Sequence, residues 1–134
     1  VDYKGKKLLD GGITDPIPIR KSIEHGNDKN IIVLTRQKGY QKKREYTYRM
    51  CKRLYGEYPE LVEQLMTRDK QYNETLKLCS QLQKEGKAII IQPEEKLPVN
   101  RLEKDHEKLV AAYRIGIHDA KKKKKEILEL LEIG

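Results

Sequence analysis

The sequence predicts an α/β fold with a few mostly parallel strands and a helix-rich C-terminal part. Two short apolar runs, residues 30–34 and 88–91, are continuous enough to form buried parallel strands. Elsewhere, from residue 50 onward, apolar side chains recur three and four positions apart, which is the spacing of one helix face. Helices combined with buried parallel strands indicate an α/β architecture.

The first residues predict a hairpin followed by an ordered loop. Lys4-Gly5 is a turn signal between residues that can pair, so we expect a hairpin over residues 3–9 whose second strand ends at Asp10. Two prolines exclude a regular helix or a central strand over residues 13–19. The isoleucines of the same stretch should keep this loop against apolar surface.

Six helices are expected, and one domain boundary should lie between the first helix and the other five. The expected helices cover residues 20–25, 50–55, 59–66, 69–84, 105–115 and 118–131. Gly26 should end the first helix, and Gly116 should separate the last two. The composition turns basic and polar over residues 36–44, which favours a domain boundary between residues 43 and 44.

Composition limits the core and the partners. Only 37% of the 134 residues are apolar and there is no Trp or Phe, so the core should be thin and completed by further sequence or a partner. The net charge of +8 favours anionic surfaces without choosing between nucleic acid, lipid headgroups and acidic protein. Cys51 and Cys79 lack metal spacing and fall in helical patterns, which favours buried thiols and a cytoplasmic compartment.

Asp10-Gly11-Gly12 is the one motif that could carry chemistry, although Asp-Gly is also an ordinary turn signal. A carboxylate can accept the proton of an attacking hydroxyl group when it lies within hydrogen-bond distance. The apolar approach through Leu8-Leu9 favours partial burial of Asp10, which would strengthen it as a base. Glycines at positions 11 and 12 would let the backbone turn sharply and approach another loop.

Several segments together resemble the closing part of the patatin-like phospholipase domain. They are Tyr3 with Lys4-Gly5, Leu9 to Gly12, Asp15-Pro16-Ile17-Pro18 and residues 30–35. Residues 89–93 and 113–116 are similar to the C-terminal extension of a bacterial subgroup of that family. The resemblance implies a three-layer α/β/α fold, with residues 1–43 as the end of the catalytic domain and residues 44–134 as a mostly helical extension.

The resemblance also implies an activity. Members hydrolyse ester bonds of membrane or neutral lipids with a Ser-Asp dyad, and Asp10 matches the base, with Gly11 and Gly12 as motif support. No Gly-x-Ser-x-Gly elbow surrounds Ser22 or Ser80, and no glycine-rich oxyanion loop occurs. We therefore expect a fragment that needs no cofactor or metal, that is inactive alone, and whose nucleophile belongs to a missing N-terminal part.

A different class of function remains open from charge alone, namely a basic, non-catalytic module that binds nucleic acid or an acidic partner. Tyrosines interleaved with arginines over residues 44–58 could stack on bases, but such tyrosines more often cover a core. Asp15 has the pattern of a loop cap, and the isolated histidines that of solvated helix ends. These histidines are His25, His106 and His118.

A run of five lysines should open the final helix. Its members are Lys121, Lys122, Lys123, Lys124 and Lys125. Runs of like charge usually face water, and the alternative is contact with anionic headgroups, which would place the chain at the periphery of a membrane.

Overall fold

A computed structural model describes residues 1–132 and shows a mixed α/β fold with more helix than strand. The elements are β1 (Asp2–Tyr3), β2 (Lys6–Lys7), α1 (Ile19–Glu24), β3 (Asn30–Val33), α2 (Tyr48–Tyr55), α3 (Pro59–Lys84), β4 (Ala88–Ile91), α4 (His106–Lys122) and α5 (Lys124–Leu130). The chain divides into two compact units. The first unit comprises Val1–Pro18 and Gln41–Lys77, and the second comprises Ile19–Tyr40 and the chain from Leu78 onward.

The predicted hairpin in the first unit is confirmed. Strands β1 and β2 pair antiparallel, and the turn residues Lys4 and Gly5 have φ values of 48° and 73°. Positive φ at both central residues is the geometry of the tight turn that matches strand twist. The second strand ends at Lys7, earlier than predicted. Leu8 closes the hairpin against Val1, because the Leu8 N–H donates to the Val1 carbonyl at 2.7 Å and the Val1 ammonium donates to the Leu8 carbonyl at 2.9 Å.

The core of the first unit lies between the proline-containing loop and helices α2 and α3. Cys51, Val62 and Leu65 are buried together. Ile13, Tyr46, Leu61 and Met66 pack against them. Ile17 is also buried, which confirms that the loop with two prolines lies against apolar surface.

Helix α3 is one continuous helix of 26 residues, so the prediction of two helices over residues 59–66 and 69–84 is wrong. Neither Gly nor Pro occurs at the expected break. Thr67 does not interrupt the helix, because its hydroxyl donates 2.9 Å to the Glu63 carbonyl one turn earlier. The helix belongs to the first unit as far as Lys77 and to the second unit beyond it.

The second unit contains the parallel strand pair that the sequence predicts. β3 and β4 pair parallel over four residues, from Asn30 opposite Ala88 to Val33 opposite Ile91. Burial alternates along β3 rather than running continuously, since Ile32 is buried while Ile31 and Val33 are exposed. In β4, by contrast, Ala88 and Ile89 are both buried and the next two residues are partly buried, so both faces of β4 are covered and the exposed side chains of the pair belong to β3.

The two strand pairs form separate sheets in the described part of the chain. Leu8 and Leu9 lie outside any strand. The apolar character of Leu8-Leu9 predicts that it shares one sheet with residues 31–34 and 89–91, and this prediction is wrong. The hairpin strands are too short and too charged to extend an apolar sheet, because β2 consists of Lys6 and Lys7 alone.

The last helices break at Lys123 and not at Gly116. Asp105 caps α4 by accepting from the Glu107 N–H at 2.9 Å, and the helix continues through Gly116 to Lys122. A glycine within a helix costs about 1 kcal/mol relative to alanine, which does not stop a helix of 17 residues. No helix among residues 1–132 is both long and apolar enough to cross a membrane.

Residues 37–47 form neither helix nor strand, and the chain passes from the second unit to the first between Tyr40 and Gln41. The basic, polar composition of this stretch therefore coincides with a structural transition. The division into domains at residues 43 and 44 stays a prediction, because both compact units contain segments from either side of it.

Candidate active site

Asp10 caps a short 3-10 helix, Gly11–Ile13, in the first unit. Its Oδ1 accepts the Gly12 N–H at 2.9 Å, and its carbonyl accepts the Ile13 N–H at 3.1 Å. Asp10 is exposed, so the partial burial predicted from Leu8-Leu9 is wrong for this chain. The turn fixes the orientation of the carboxylate and leaves it accessible.

Gly11 and Gly12 were predicted to let the backbone turn sharply, but the structure gives them a different role. Neither Gly11 nor Gly12 has a positive φ, so the turn does not require the left-handed conformation that glycine permits. A Cβ built on Gly12 would lie 3.3 Å from Asp10 Oδ1, whereas one on Gly11 would meet nothing within 4 Å. Gly12 therefore makes room for the Asp10 carboxylate, and Gly11 leaves open space beside it.

Arg68 holds the same turn from helix α3. Its Nη2 donates to the Gly12 carbonyl at 3.0 Å. Its Nε is buried and has no hydrogen-bond partner among the described residues. The sequence carries no signal for this contact, since the two residues are 56 positions apart.

Gly11 adds further hydrogen bonds to the turn. Its carbonyl accepts the N–H groups of Thr14 and Asp15 at 3.1 and 2.9 Å, and the Thr14 hydroxyl at 3.0 Å. Asp15 is exposed, and this backbone bond agrees with its predicted structural place in the loop. The Asp10 and Gly11 carbonyls are thus hydrogen-bonded within the turn, and the Asp10 carboxylate faces outward.

A cleft of about 550 Å³ adjoins the approach to Asp10. Leu8, Leu9 and Leu61 contribute apolar walls, and Lys7 and Tyr58 contribute polar ones. Lys7 Nζ donates to the Tyr58 hydroxyl at 2.8 Å, and this hydrogen bond raises the pKa of Lys7. An ammonium group beside an apolar cleft is suited to a ligand with an apolar chain and an anionic head.

A second groove lies at the carboxyl ends of β3 and β4 in the second unit. Its volume is about 430 Å³, and its lining includes Val33, Thr35, Gln92, Ile115 and Gly116. Ligands of open α/β sheets bind at this end of the strands. The same rule predicts that a catalytic Asp10 lies at such a strand end, beside Thr35 or Gln92. Asp10 belongs to the first unit, and this placement stays a prediction.

The lysine run does not open the final helix as predicted. Lys121 and Lys122 end α4, Lys123 stands between the helices, and Lys124 and Lys125 begin α5. Within the run, Lys123 Nζ binds both carboxylate oxygens of Glu126 at 2.8 and 2.9 Å. Lys125 Nζ lies 3.7 Å from Glu129 Oε1. Part of the positive charge of the run is therefore neutralised by Glu126 and Glu129 of α5.

The remaining candidates are placed as follows. Both cysteines are free and buried, as predicted, and burial raises the pKa of the Cys79 thiol. All three histidines are exposed, and no group of three or more metal-ligating side chains occurs among the described residues. The tyrosines agree with the prediction only in part, since Tyr46 packs on the core while Tyr48, Tyr55 and Tyr58 are exposed.

These observations define a mixed α/β chain with an accessible carboxylate on a fixed turn. Residues 58–132 match the family described as "Domain of unknown function (DUF6363)". This match covers more than half of the chain, which therefore belongs to that family. Arg68 lies within the matched region, and Asp10 precedes it. No curated protein and no solved structure matches the chain.

Proposed function

We propose that this chain is the C-terminal part of a patatin-like lipid acyl hydrolase in which Asp10 is the general base of a Ser-Asp dyad. The observation that carries the proposal is the geometry of Asp10, an exposed carboxylate whose orientation is fixed by the Gly12 N–H. The proposed fold of the whole protein is the three-layer α/β/α arrangement of that family.

The chemistry follows from the properties of the two groups. A serine hydroxyl is a weak nucleophile at neutral pH, so a base must take its proton as the oxygen attacks the acyl carbonyl. A carboxylate within about 2.6–3.2 Å of the hydroxyl can do this without a histidine. The accessible side of the Asp10 carboxylate leaves room for such a hydroxyl from another segment.

The surroundings of Asp10 support a positioning role for the turn. The Gly12 N–H keeps the carboxylate from rotating freely, and Arg68 holds the backbone of the same turn through the Gly12 carbonyl. A fixed base needs less reorganisation when the proton moves. Leu8 and Leu9 present exposed apolar side chains directly before the motif. Apolar surface beside the base is suited to the acyl chain of a lipid ester.

In this proposal the nucleophile comes from another part of the protein, because neither Ser22 nor Ser80 has a nucleophile-elbow context. The reaction needs no metal or organic cofactor. The proposed substrate is a lipid ester at an anionic, cytoplasmic membrane surface, and the lysine run is a candidate for contact with that surface. The 134-residue chain alone should not hydrolyse esters.

The test compares two neighbouring carboxylates in the protein that also carries the nucleophilic serine. Asp10→Asn keeps the shape of the side chain and removes the base, so hydrolysis of a short acyl ester should slow by about 10²–10⁴. Asp15→Asn is the matched control, since Asp15 is exposed and lies in the same loop. Equal turnover by wild-type protein and the Asp10 variant would exclude the proposed role.

A further inference from the structure

We propose that helix α2, with the basic residues that precede it, is a docking surface for an anionic lipid bilayer. The α2 surface is defined as Lys43, Arg44, Arg49, Met50, Arg53 and Leu54, all of which belong to the first unit. All six residues are exposed. The inference goes beyond the proposed hydrolase and does not depend on Asp10.

Positive charge is concentrated around this helix. Residues 41–58 contain six basic and two acidic residues, which is half of the net charge of +8 in less than a seventh of the chain. Lys42 is neutralised by Glu45 at 2.7 Å. Arg44, Arg49 and Arg53 form no ion pair with any described residue, so their charge is available to an external anion.

The same helix also exposes aliphatic side chains. Cys51 faces the core and is only 1% exposed, whereas Leu54 is 63% and Met50 39% exposed. Met50, Arg53 and Leu54 are spaced i, i+3 and i+4, which places them on one face of the helix. A single exposed strip therefore combines two apolar side chains with a guanidinium group.

This combination fits a bilayer better than a nucleic acid. A helix that lies in the membrane interface inserts apolar side chains among the headgroups while its cations bind anionic lipid. A single-stranded nucleic acid would use the arginines and stack on tyrosine rings, but Leu54 and Met50 would remain in water. Tyr48 and Tyr55, the first and last residues of the helix, are also of a type that favours the membrane interface.

The test uses the intact 134-residue chain and co-sedimentation with vesicles of equal parts phosphatidylglycerol and phosphatidylcholine at low salt. Arg49→Gln with Arg53→Gln removes two charges near the surface and should weaken binding about thirty-fold. Leu54→Ser keeps the charge and removes the inserting side chain, which should weaken binding about ten-fold. Pure phosphatidylcholine vesicles should bind the wild-type chain weakly.

The matched control removes the same number of charges elsewhere, by Lys96→Gln with Lys104→Gln, both of which are exposed and lie outside α2 and the lysine run. This control should keep nearly all vesicle binding. Circular dichroism should show the same fold in every variant, because the substituted side chains lie at the surface. The proposal is overturned if either α2 variant binds vesicles as well as the wild-type chain does. It is also overturned if the wild-type chain binds single-stranded oligouridine tightly and does not bind the vesicles.

Discussion

At the scale of single residues, the Asp10 turn depends on backbone contacts that the side-chain pattern does not reveal. Asp10, Gly11 and Gly12 look like three parts of one flexible turn, yet only Gly12 is constrained by a neighbour. The reason is the hydrogen bond from its N–H to Asp10 Oδ1, which brings the carboxylate over the position that a Cβ would occupy. Adjacent glycines therefore have different physical roles.

Alanine substitutions should separate these roles. Gly11→Ala should stabilise the chain by about 0.4–1 kcal/mol, because it lowers the entropy of the unfolded chain and meets no atom. Gly12→Ala gains the same entropy but displaces the carboxylate, and loss of such a cap costs about 0.5–2 kcal/mol. The midpoint of thermal unfolding should be highest for Gly11→Ala, lower for the wild-type chain and lowest for Gly12→Ala. Equal stability of the two variants would contradict this assignment.

At the scale of elements, the sequence predicted those whose boundaries rest on local chemistry. The Lys4-Gly5 hairpin and the strands predicted at residues 30–34 and 88–91 follow from turn residues and short apolar runs, and all are present, the first strand ending at Val33. The helix ends were predicted less well. Gly116 lies inside α4, since one glycine is a small cost against the hydrogen bonds of a long helix.

The contacts of the candidate site were the least predictable part. Asp10 could be singled out from its motif, but its exposure depends on where β2 ends. Arg68 could not be found, because a long-range bond from a guanidinium to a backbone carbonyl leaves no pattern in the sequence. Such bonds are decided by tertiary packing, which local periodicity does not encode.

Arg68 should contribute measurably to the stability of the first unit. Arg68→Met keeps most of the side-chain volume but removes the hydrogen bond to the Gly12 carbonyl. Hydrogen bonds from charged groups contribute about 1.5–3 kcal/mol, so urea unfolding should show a loss of that size. Arg101→Met, at an exposed position in a turn, is the control and should change stability by less than about 0.5 kcal/mol. A loss no larger than that of the control would show that the contact is not stabilising.

At the scale of the whole molecule, the core is as thin as the composition predicts. The largest fully buried side chains are those of Cys51 and Cys79, one in each compact unit. Large apolar side chains such as Leu9, Val33 and Leu54 remain exposed. A small core usually gives marginal stability, because little apolar area offsets the entropy of ordering the chain.

The two thiols can measure that stability separately in each unit. Cys51→Ala leaves Cys79 as the reporter of the second unit, and Cys79→Ala leaves Cys51 as the reporter of the first. The thiolate is the reactive form, and burial both blocks access to the thiol and, for Cys79, raises the pKa.

In each variant the remaining thiol should react with an aromatic disulfide reagent about 10³-fold or more slowly than in the unfolded chain, as expected for reaction through rare opening. Reaction rates across a urea series at constant pH then give an opening free energy for each unit. A thiol that reacts without urea as fast as in the unfolded chain would contradict its burial. Opening free energies that differ between the two variants would show that the units unfold in separate steps, whereas equal values would indicate a single cooperative transition.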